Sequence, residues 1–426
     1  MNRLACWILS TCWLTVAGGT ITSEREVLAQ ETATATPRDY ATRLENVFAK
    51  VEERFYRDPF ESPNYLGAKQ EARTAVVGCR DPQQFSVIIN QYLRALDASH
   101  TYYLTSEDWE YYHIAAIFES LPSIQELFQR QPLEYPSIGI IAQKCGQQWV
   151  VADVLPGGPA AASGVQIGDM LLKVNDQPYT PVAGWWSLVD QPATLTIQRG
   201  GQQQSLHVTA RKVHPGDEMY AALTASMTIV ERSGTKIGYA HFYSYAGRRY
   251  QEALEQAIQS GELRKADVLV LDLRYGLGGA DANYLSLFNR DVPELLSIGR
   301  DGETSSSTLP WRKPVVMLIN ETSRSGKEVL AYGAKRHGLA TLVGTRTAGA
   351  VLAGSPLVVD GEDLLWLAVR DIKVDGQRLE KIGVDPHLEV PMDPSTCQGV
   401  DVQREAALEE AVRLAQPKVV PPRPSP

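Results

Sequence analysis

The sequence predicts an α/β protein in which a helical N-terminal region and a β-rich middle segment precede a core of alternating strands and helices. Three observations lead there. Between Arg38 and Phe128 apolar residues recur at helical spacing, as in Tyr40, Leu44, Val47, Phe48 and Val51 and again in Phe85, Ile88, Ile89, Tyr92, Leu93 and Leu96. Residues 136–213 break into short strand-like runs separated by Gly-rich turns. From Met227 onward, apolar runs of buried-strand length alternate with helical segments.

At the N-terminus, Arg3 precedes an apolar run from Leu4 to Val16, followed by Ala17-Gly18-Gly19. That is the layout of a secretory signal, and the run is too short to span a membrane. Cleavage after Ala29 fits the small-residue rule, with a site nearer Gly19 or an uncleaved anchor as alternatives. Residues 1–29 are therefore expected to be a signal peptide and 30–37 a small, polar linker. The mature chain is expected to be exported to a periplasmic, lumenal or extracellular compartment, soluble and without stable membrane insertion. It would keep Cys79, Cys145 and Cys397, too few for a disulfide framework, though one bridge is allowed.

The 426 residues, 44% apolar and 21% charged, are enough for two or three domains with cores of their own. A net charge of −9 and a pI near 5.4 exclude nucleic acid and anionic membrane surfaces as expected partners.

The helical region is placed at 38–130. Within it Asp97-Ala98-Ser99-His100-Thr101-Tyr102-Tyr103 ends a helix and begins an extended run, a break at which His100 has either a structural or a functional role. In 136–213, Ser137-Ile138-Gly139-Ile140-Ile141 and Gln148-Trp149-Val150-Val151 are strand candidates, and Arg199-Gly200-Gly201 marks a hairpin. Trp185 and Trp186 suit either a groove wall or a core.

The α/β core is placed at 214–395, with residues around 97–103 contributed from the N-terminal region. A helix and a Pro-rich, disordered tail fill 396–426. Asp267 to Leu273 reads as a strand buried on both faces, ending at Arg274-Tyr275-Gly276-Leu277-Gly278-Gly279, whose glycines permit close backbone approach. Pro314 to Ile319 is a second such strand, and Asn320 to Ala331 carries it into a helix with Ser325 at the junction. Unsatisfied N–H groups and the helix dipole would meet a developing oxyanion beside Ser325, so the position suits a nucleophile. It equally suits a simple N-cap. The remaining histidines lack metal-ligand spacing, and Gly276 to Gly279 is not followed by the Lys-Ser or Lys-Thr of a phosphate loop. No metal and no cofactor are expected.

The run Pro156-Gly157-Gly158-Pro159 through Gly164-Val165-Gln166-Ile167-Gly168-Asp169 to Val174-Asn175-Asp176 resembles a PDZ domain of the bacterial type. The resemblance implies that a peptide's free C-terminus adds as a strand beside Ile138, Gly139 and Ile140, with a short helix near Val182 to Val189 as the second wall. With the glycine loop, the strand–Ser–helix, Gly344-Thr345-Arg346-Thr347-Ala348-Gly349-Ala350 and Gly383-Val384-Asp385-Pro386, residues 40–395 resemble the tail-specific, or C-terminal processing, serine peptidase family. That resemblance implies a crotonase-like ββα-spiral peptidase core with the PDZ domain inserted before it.

One branch of the family uses a Ser–Lys dyad, but the position of its lysine, just beyond the Thr-x-Gly turn, is Ala350. No lysine occurs between Lys335 and Lys373, and Lys327 lies too close along the helix. The other branch, which includes the tricorn protease core, uses Ser, His and Glu, and here Ser99-His100 and Glu380 before Gly383-Val384 match its motifs. The resemblance then implies Ser325 as nucleophile, His100 as base and Glu380 as the carboxylate that orients it. Ser99 has either a place in that network or a turn role. The oxyanion donors would be the N–H groups of Gly326 and of Gly278 or Gly279. A serine hydroxyl needs such a base at neutral pH, and an imidazole of pKa about 6.5 can take the proton and return it to the leaving amine.

Gly276 stands where the family has asparagine, Leu277 replaces a common glycine, and His387 replaces an aspartate. The expected function is an exported serine endopeptidase that binds unstructured protein C-termini and cleaves through an acyl-enzyme. The rival is a non-catalytic PDZ adaptor or apolar-ligand carrier on the same scaffold.

Overall fold

The computed structural model describes residues 39–416, apart from 290, 292, 294 and 307–310. The signal peptide, the linker and the tail beyond 416 expected from the sequence lie outside the described residues. Helices α1 (Tyr40–Arg54), α2 (Pro63–Val76) and α3 (Pro82–Arg94) open the chain. Asp81 caps α3 by accepting from the N–H of Gln84 at 2.8 Å, and Pro82 fills its first turn, where no N–H is needed. Leu44, Val47, Phe48 and Val51 form the buried stripe of α1, packed with Phe85, Ile89 and Tyr92. Next come β1 (Tyr102–Leu104), α4 (Trp109–Ile117) and α5 (Pro122–Leu127).

The β-rich unit comprises β2 (Tyr135–Ser137), β3 (Ile140–Cys145), β4 (Gln148–Val154), α6 (Pro159–Ala162), β5 (Met170–Val174), β6 (Gln177–Pro178), β7 (Pro192–Arg199), β8 (Gln202–Thr209) and β9 (Arg211–Val213). Its main sheet runs β3-β4-β5-β7-β8, with β3 at an edge and β6 beside β5. The run Ser137–Ile141, expected to be one strand, is split. Gly139 turns at φ +76°, so Ser137 pairs with Arg211 while Ile140 pairs with Val154. The expected short helix is a 3-10 helix, Ala183–Leu188, and it separates the two tryptophans: Trp185 is buried in this unit's core and Trp186 is exposed.

The core follows with α7 (Pro215–Ser226), β10 (Thr228–Arg232), β11 (Thr235–His241), α8 (Arg248–Gln259), β12 (Val268–Asp272), the small hairpin β13 (Leu296–Ile298) and β14 (Thr304–Ser306), β15 (Val315–Ile319), α9 (Gly326–Arg336) and β16 (Thr341–Gly344). Then come β17 (Leu352–Val359), β18 (Asp363–Asp371), β19 (Lys373–Val374), β20 (Gln377–Arg378), β21 (Leu388–Glu389) and α10 (Val402–Ala415). The central sheet runs β10-β11-β12-β15-β16-β21 and is parallel from β11 onward.

β12 and β15 are buried throughout, and their alternating residues feed two cores. Leu269, Leu271, Val315, Met317 and Ile319 pack with residues of α8 and α9. Val268, Val270, Val316 and Leu318 pack with Ala407, Leu408 and Ala411 of α10. Helix α10 therefore covers one face of the sheet, and the core continues past residue 395.

β17 and β18 form a hairpin whose turn residues Asp360 and Gly361 both have positive φ, as a type I′ turn requires. β1 adds to its other edge, Tyr103 opposite Leu365. The buried Arg43 of α1 reaches Asp363 of this hairpin at 2.6 Å, and the Tyr103 hydroxyl donates to the same carboxylate at 2.8 Å. Residues 97–103 are thereby fixed against the core. Cys79, Cys145 and Cys397 are unpaired. Among the described residues no helix is long and apolar enough to cross a membrane.

Candidate active site

The chain leaves the buried strand β15, turns through Asn320–Arg324 and enters α9 at Gly326. Ser325 sits at the bend with φ +59° and ψ −128°, a conformation that L-residues hold only where their surroundings enforce it. The enforcement is visible. The Ser325 N–H donates to the Ala350 carbonyl at 2.9 Å and to Glu328 Oε2 at 3.2 Å. Glu328 is fully buried and also accepts from the N–H of Gly349 and of Ala350, each at 2.7 Å, and from the Thr347 hydroxyl at 2.6 Å. One carboxylate thus fastens the serine turn to the loop after β16.

His100 lies two residues before β1, also at positive φ. Its Nδ1 is 3.0 Å from the Ser99 hydroxyl, which donates to Glu380 Oε2 at 2.7 Å. Glu380 is 2% exposed, and it also accepts from the N–H of Ser99 at 2.9 Å and of Val351 at 2.9 Å. Because the single Ser99 proton goes to Glu380, Nδ1 must be the donor to the Ser99 oxygen. A neutral His100 therefore carries its proton on Nδ1 and presents the lone pair of Nε2. Glu380 meets the imidazole through Ser99 rather than directly.

Burial first, and the nearby Arg324 charge second, pull the His100 pKa down to about 4, so the imidazole is neutral at pH 7. Arg324, next to the serine, is itself engaged by Glu110 of α4 and by the Tyr102 hydroxyl. His100, Ser99, Arg324 and Ala350 line one cavity of about 490 Å³, together with Tyr102 and Trp109. The turn just before Ser325 and the Ala350 that accepts from its N–H are thus brought to the same cavity as the imidazole. Among the described residues no hydrogen bond joins the Ser325 hydroxyl to His100.

The glycine loop closes over the serine. A Cβ on Gly278 would lie 2.6 Å from Ser325 Cβ and 3.2 Å from the Gly326 nitrogen, so only glycine allows this approach. Neither the Gly278 nor the Gly326 N–H is paired with an acceptor among the described residues. Gly279, at φ +92°, instead abuts Ala246. At Gly276, φ is +65° and a Cβ would fall 1.8 Å from the Tyr243 carbonyl oxygen, so an asparagine side chain has no room there. Lys327 is fully buried, and its ammonium donates to the Tyr275 carbonyl at 2.6 Å, which ties α9 to this loop. Burial lowers its pKa to about 7.

Ile138, Gly139 and Ile140 lie at the entrance to β3. The Gly139 N–H donates to the Ser137 hydroxyl at 3.0 Å, and that hydroxyl donates to Glu218 of α7 at 2.5 Å. Glu218 also accepts from Tyr135, whose hydroxyl is 3.0 Å from His113 Nε2. His387 is placed away from the cavity, its Nδ1 accepting from the Leu342 N–H at 2.9 Å.

Arg324, Glu110 and Glu328 are not among the site residues expected from the sequence. The Ser325-x-x-Glu328 spacing, a capping-box pattern, was the available signal for the last of these.

Residues 236–390 match the sequence profile of peptidase family S41, and residues 150–199 match that of a PDZ domain. Residues 236–390 are a peptidase family S41 domain. The S41 segment carries Ser325, Gly278, Gly326, Lys327 and Glu380, while Ser99 and His100 reach it through β1. The PDZ match begins at Val150 and leaves out the loop Ile138–Ile140.

Tricorn protease homolog 1 of Streptomyces coelicolor is 28% identical over 294 residues, 63% of this chain and 26% of its own length. A probable CtpA-like serine protease of Staphylococcus aureus is 26% identical over 292 residues, 63% of this chain and 55% of its own. The chain thus spans between about a quarter and about half the length of these curated relatives. The crystal structure of the tricorn protease superposes with a TM-score of 0.54 at 18% identity, over 88% of this chain and 37% of that one, a likeness of fold. The S41 peptidase fold with an accompanying PDZ domain is thereby the fold of this chain.

Proposed function

We propose that this chain is an exported serine endopeptidase of the C-terminal processing type, acting on unstructured protein segments. The observation that carries the reading is the Glu380–Ser99–His100 relay, which opens on a cavity also lined by Arg324, the residue before Ser325, and by Ala350, whose carbonyl accepts from the Ser325 N–H. In the reaction, His100 Nε2 takes the Ser325 proton as Oγ attacks the scissile carbonyl, and the imidazolium is stabilised through Ser99 by Glu380. The tetrahedral oxyanion is met by the N–H groups of Gly326 and Gly278, each donor lowering the barrier by roughly 3–4 kcal/mol. His100 returns the proton to the leaving amine, which frees one product and leaves an acyl-enzyme. Water, deprotonated by the same imidazole, then releases the second product.

The PDZ domain receives protein C-termini at Ile138–Ile140 once the Gly139 N–H is released from Ser137. Export rests on the signal-like residues 1–29. The adaptor and carrier readings are disfavoured by a strained, over-determined serine beside a neutral imidazole, features that tail binding does not need.

The test is mass spectrometry of an unfolded protein with a free apolar C-terminus, incubated with the mature chain and with Ser325→Ala and His100→Ala. Cleavage by the parent alone is expected. Binding of the tail without cleavage by any of the three would contradict the reading.

A further inference from the structure

The PDZ unit meets the candidate active site along one strand. β3 is one of the two edge strands of its sheet. Two cavities follow that edge and share Trp109, Ile141 and Ala142 as lining. The first, beside the loop Ile138–Ile140, measures only about 30 Å³, room for a water or two, and is walled by His113 of α4 and Met219 of α7. In it the carboxylate-binding loop is already satisfied from within, by Ser137 backed by Glu218. The second is the cavity of about 490 Å³ that His100 and Arg324 line, and Ile141, Ala142 and Gln143 form its wall on the PDZ side. The half of β3 that faces the tail loop is closed, and the half that faces the catalytic residues is open.

The register says which backbone groups that open half offers. Cys145 pairs with Gln148 across a two-residue turn, and Gln143 pairs with Val150. In such a hairpin these pairs exchange hydrogen bonds, and the residues between them turn their N–H and C=O groups outward. Ala142 is opposite Val151, and the Val151 N–H is spent on Asp169 of the next connection at 2.9 Å, not on Ala142. The Ala142 N–H and C=O therefore face the cavity, and Lys144 repeats the outward pattern beyond the cavity lining.

We propose that the Ala142 edge of β3 is a main-chain subsite of the peptidase, adding the substrate as an extended strand that leads to Ser325 whether or not that segment ends in a free carboxylate. The inference rests on the endopeptidase reading above. It makes the PDZ domain a wall of the cleavage cleft in addition to a receptor for tails. Backbone pairing at a sheet edge selects extended, unfolded segments with little regard to side chain, the substrate class an unstructured-protein peptidase needs.

The experiment compares two internally quenched peptides of one sequence, one with a free C-terminus and one amidated and extended beyond it, on the full mature chain and on Ala142→Pro and Lys144→Pro. Proline is tolerated on an edge strand where its missing N–H faced outward, so both variants keep the β3–β4 ladder. Ala142→Pro is expected to lower kcat/KM about tenfold on both peptides, and Lys144→Pro to stay within about twofold of the parent. A loss confined to the free-tail peptide, or no loss, overturns the inference while leaving the peptidase reading in place. Rates unchanged while Ala142→Pro turns a dimer into a monomer would make the edge an interface between copies and overturn it too. Failure of the parent to cut either peptide overturns the peptidase reading itself. Should Ala142→Pro fail to fold, single N-methylation along the amidated peptide reads the same contact on the parent. One position should lose about tenfold, and uniform rates at every position overturn the inference.

Discussion

Glu380 acts on His100 through Ser99: the Ser99 hydroxyl is 2.7 Å from the carboxylate and 3.0 Å from the imidazole Nδ1. The carboxylate can therefore fix the tautomer only as long as that hydroxyl is present. Ser99→Ala should lower kcat about 100-fold with KM nearly unchanged, because the base loses its orientation while the cleft stays intact. Steady-state kinetics on a quenched peptide decide it. An unaltered kcat would reduce Ser99 to a turn residue.

The pH profile follows from the burial of His100, which brings its pKa down to about 4, with Arg324 as the second cause. In the proposed mechanism Nε2 accepts the Ser325 proton only when the imidazole is neutral, that is, above its pKa. The acid limb of kcat/KM should therefore rise through an apparent pKa near 4 and be flat at neutral pH. Arg324→Gln removes a positive charge that disfavours imidazolium, so it should move the limb to higher pH. A parent limb at the ordinary imidazole value of about 6.5 would mean that the catalytic base is solvated or is another group.

Much of this was legible in the sequence because it is local. The buried runs of β12 and β15, the Asp-Gly turns and the placing of Ser325 where a strand becomes a helix all follow from period and turn chemistry. The relay is not local, since Glu380 and Ser99 stand 281 residues apart and meet only because β1 joins the β17–β18 sheet. Periodicity likewise read Ser137–Ile141 as one strand, since an apolar run does not reveal the positive φ at Gly139 that splits it. Arg324 carries no local signal at all, because its partners come from α4 and β1.

The glycine loop gives the sharpest steric prediction. A Cβ on Gly278 would lie 2.6 Å from Ser325 Cβ, and Ser325 is held by Ala350 and Glu328. Gly278→Ala should lower kcat about 100- to 1,000-fold by displacing an oxyanion donor. Gly276→Asn, which would recreate the family's residue, should destabilise the fold by more than about 3 kcal/mol instead of improving activity. Thermal melts and kinetics separate the two effects, and an active, stable Gly276→Asn variant would contradict this account of the loop.

Lys327 tests the choice of base. Its ammonium is committed to the Tyr275 carbonyl, and burial brings its pKa to about 7. Lys327→Met should loosen the loop and cost about tenfold in kcat, with the acid limb still near 4. Loss as complete as in Ser325→Ala, in a parent whose acid limb lies near 7, would assign the proton transfer to Lys327.

The most direct measurement is intact-mass spectrometry and peptide mapping after exposure to a serine-directed fluorophosphonate. The account predicts one adduct, on Ser325, absent from Ser325→Ala and formed at least about 100-fold more slowly in His100→Ala. An adduct on another residue, or equal labelling rates in the parent and in His100→Ala, would contradict it.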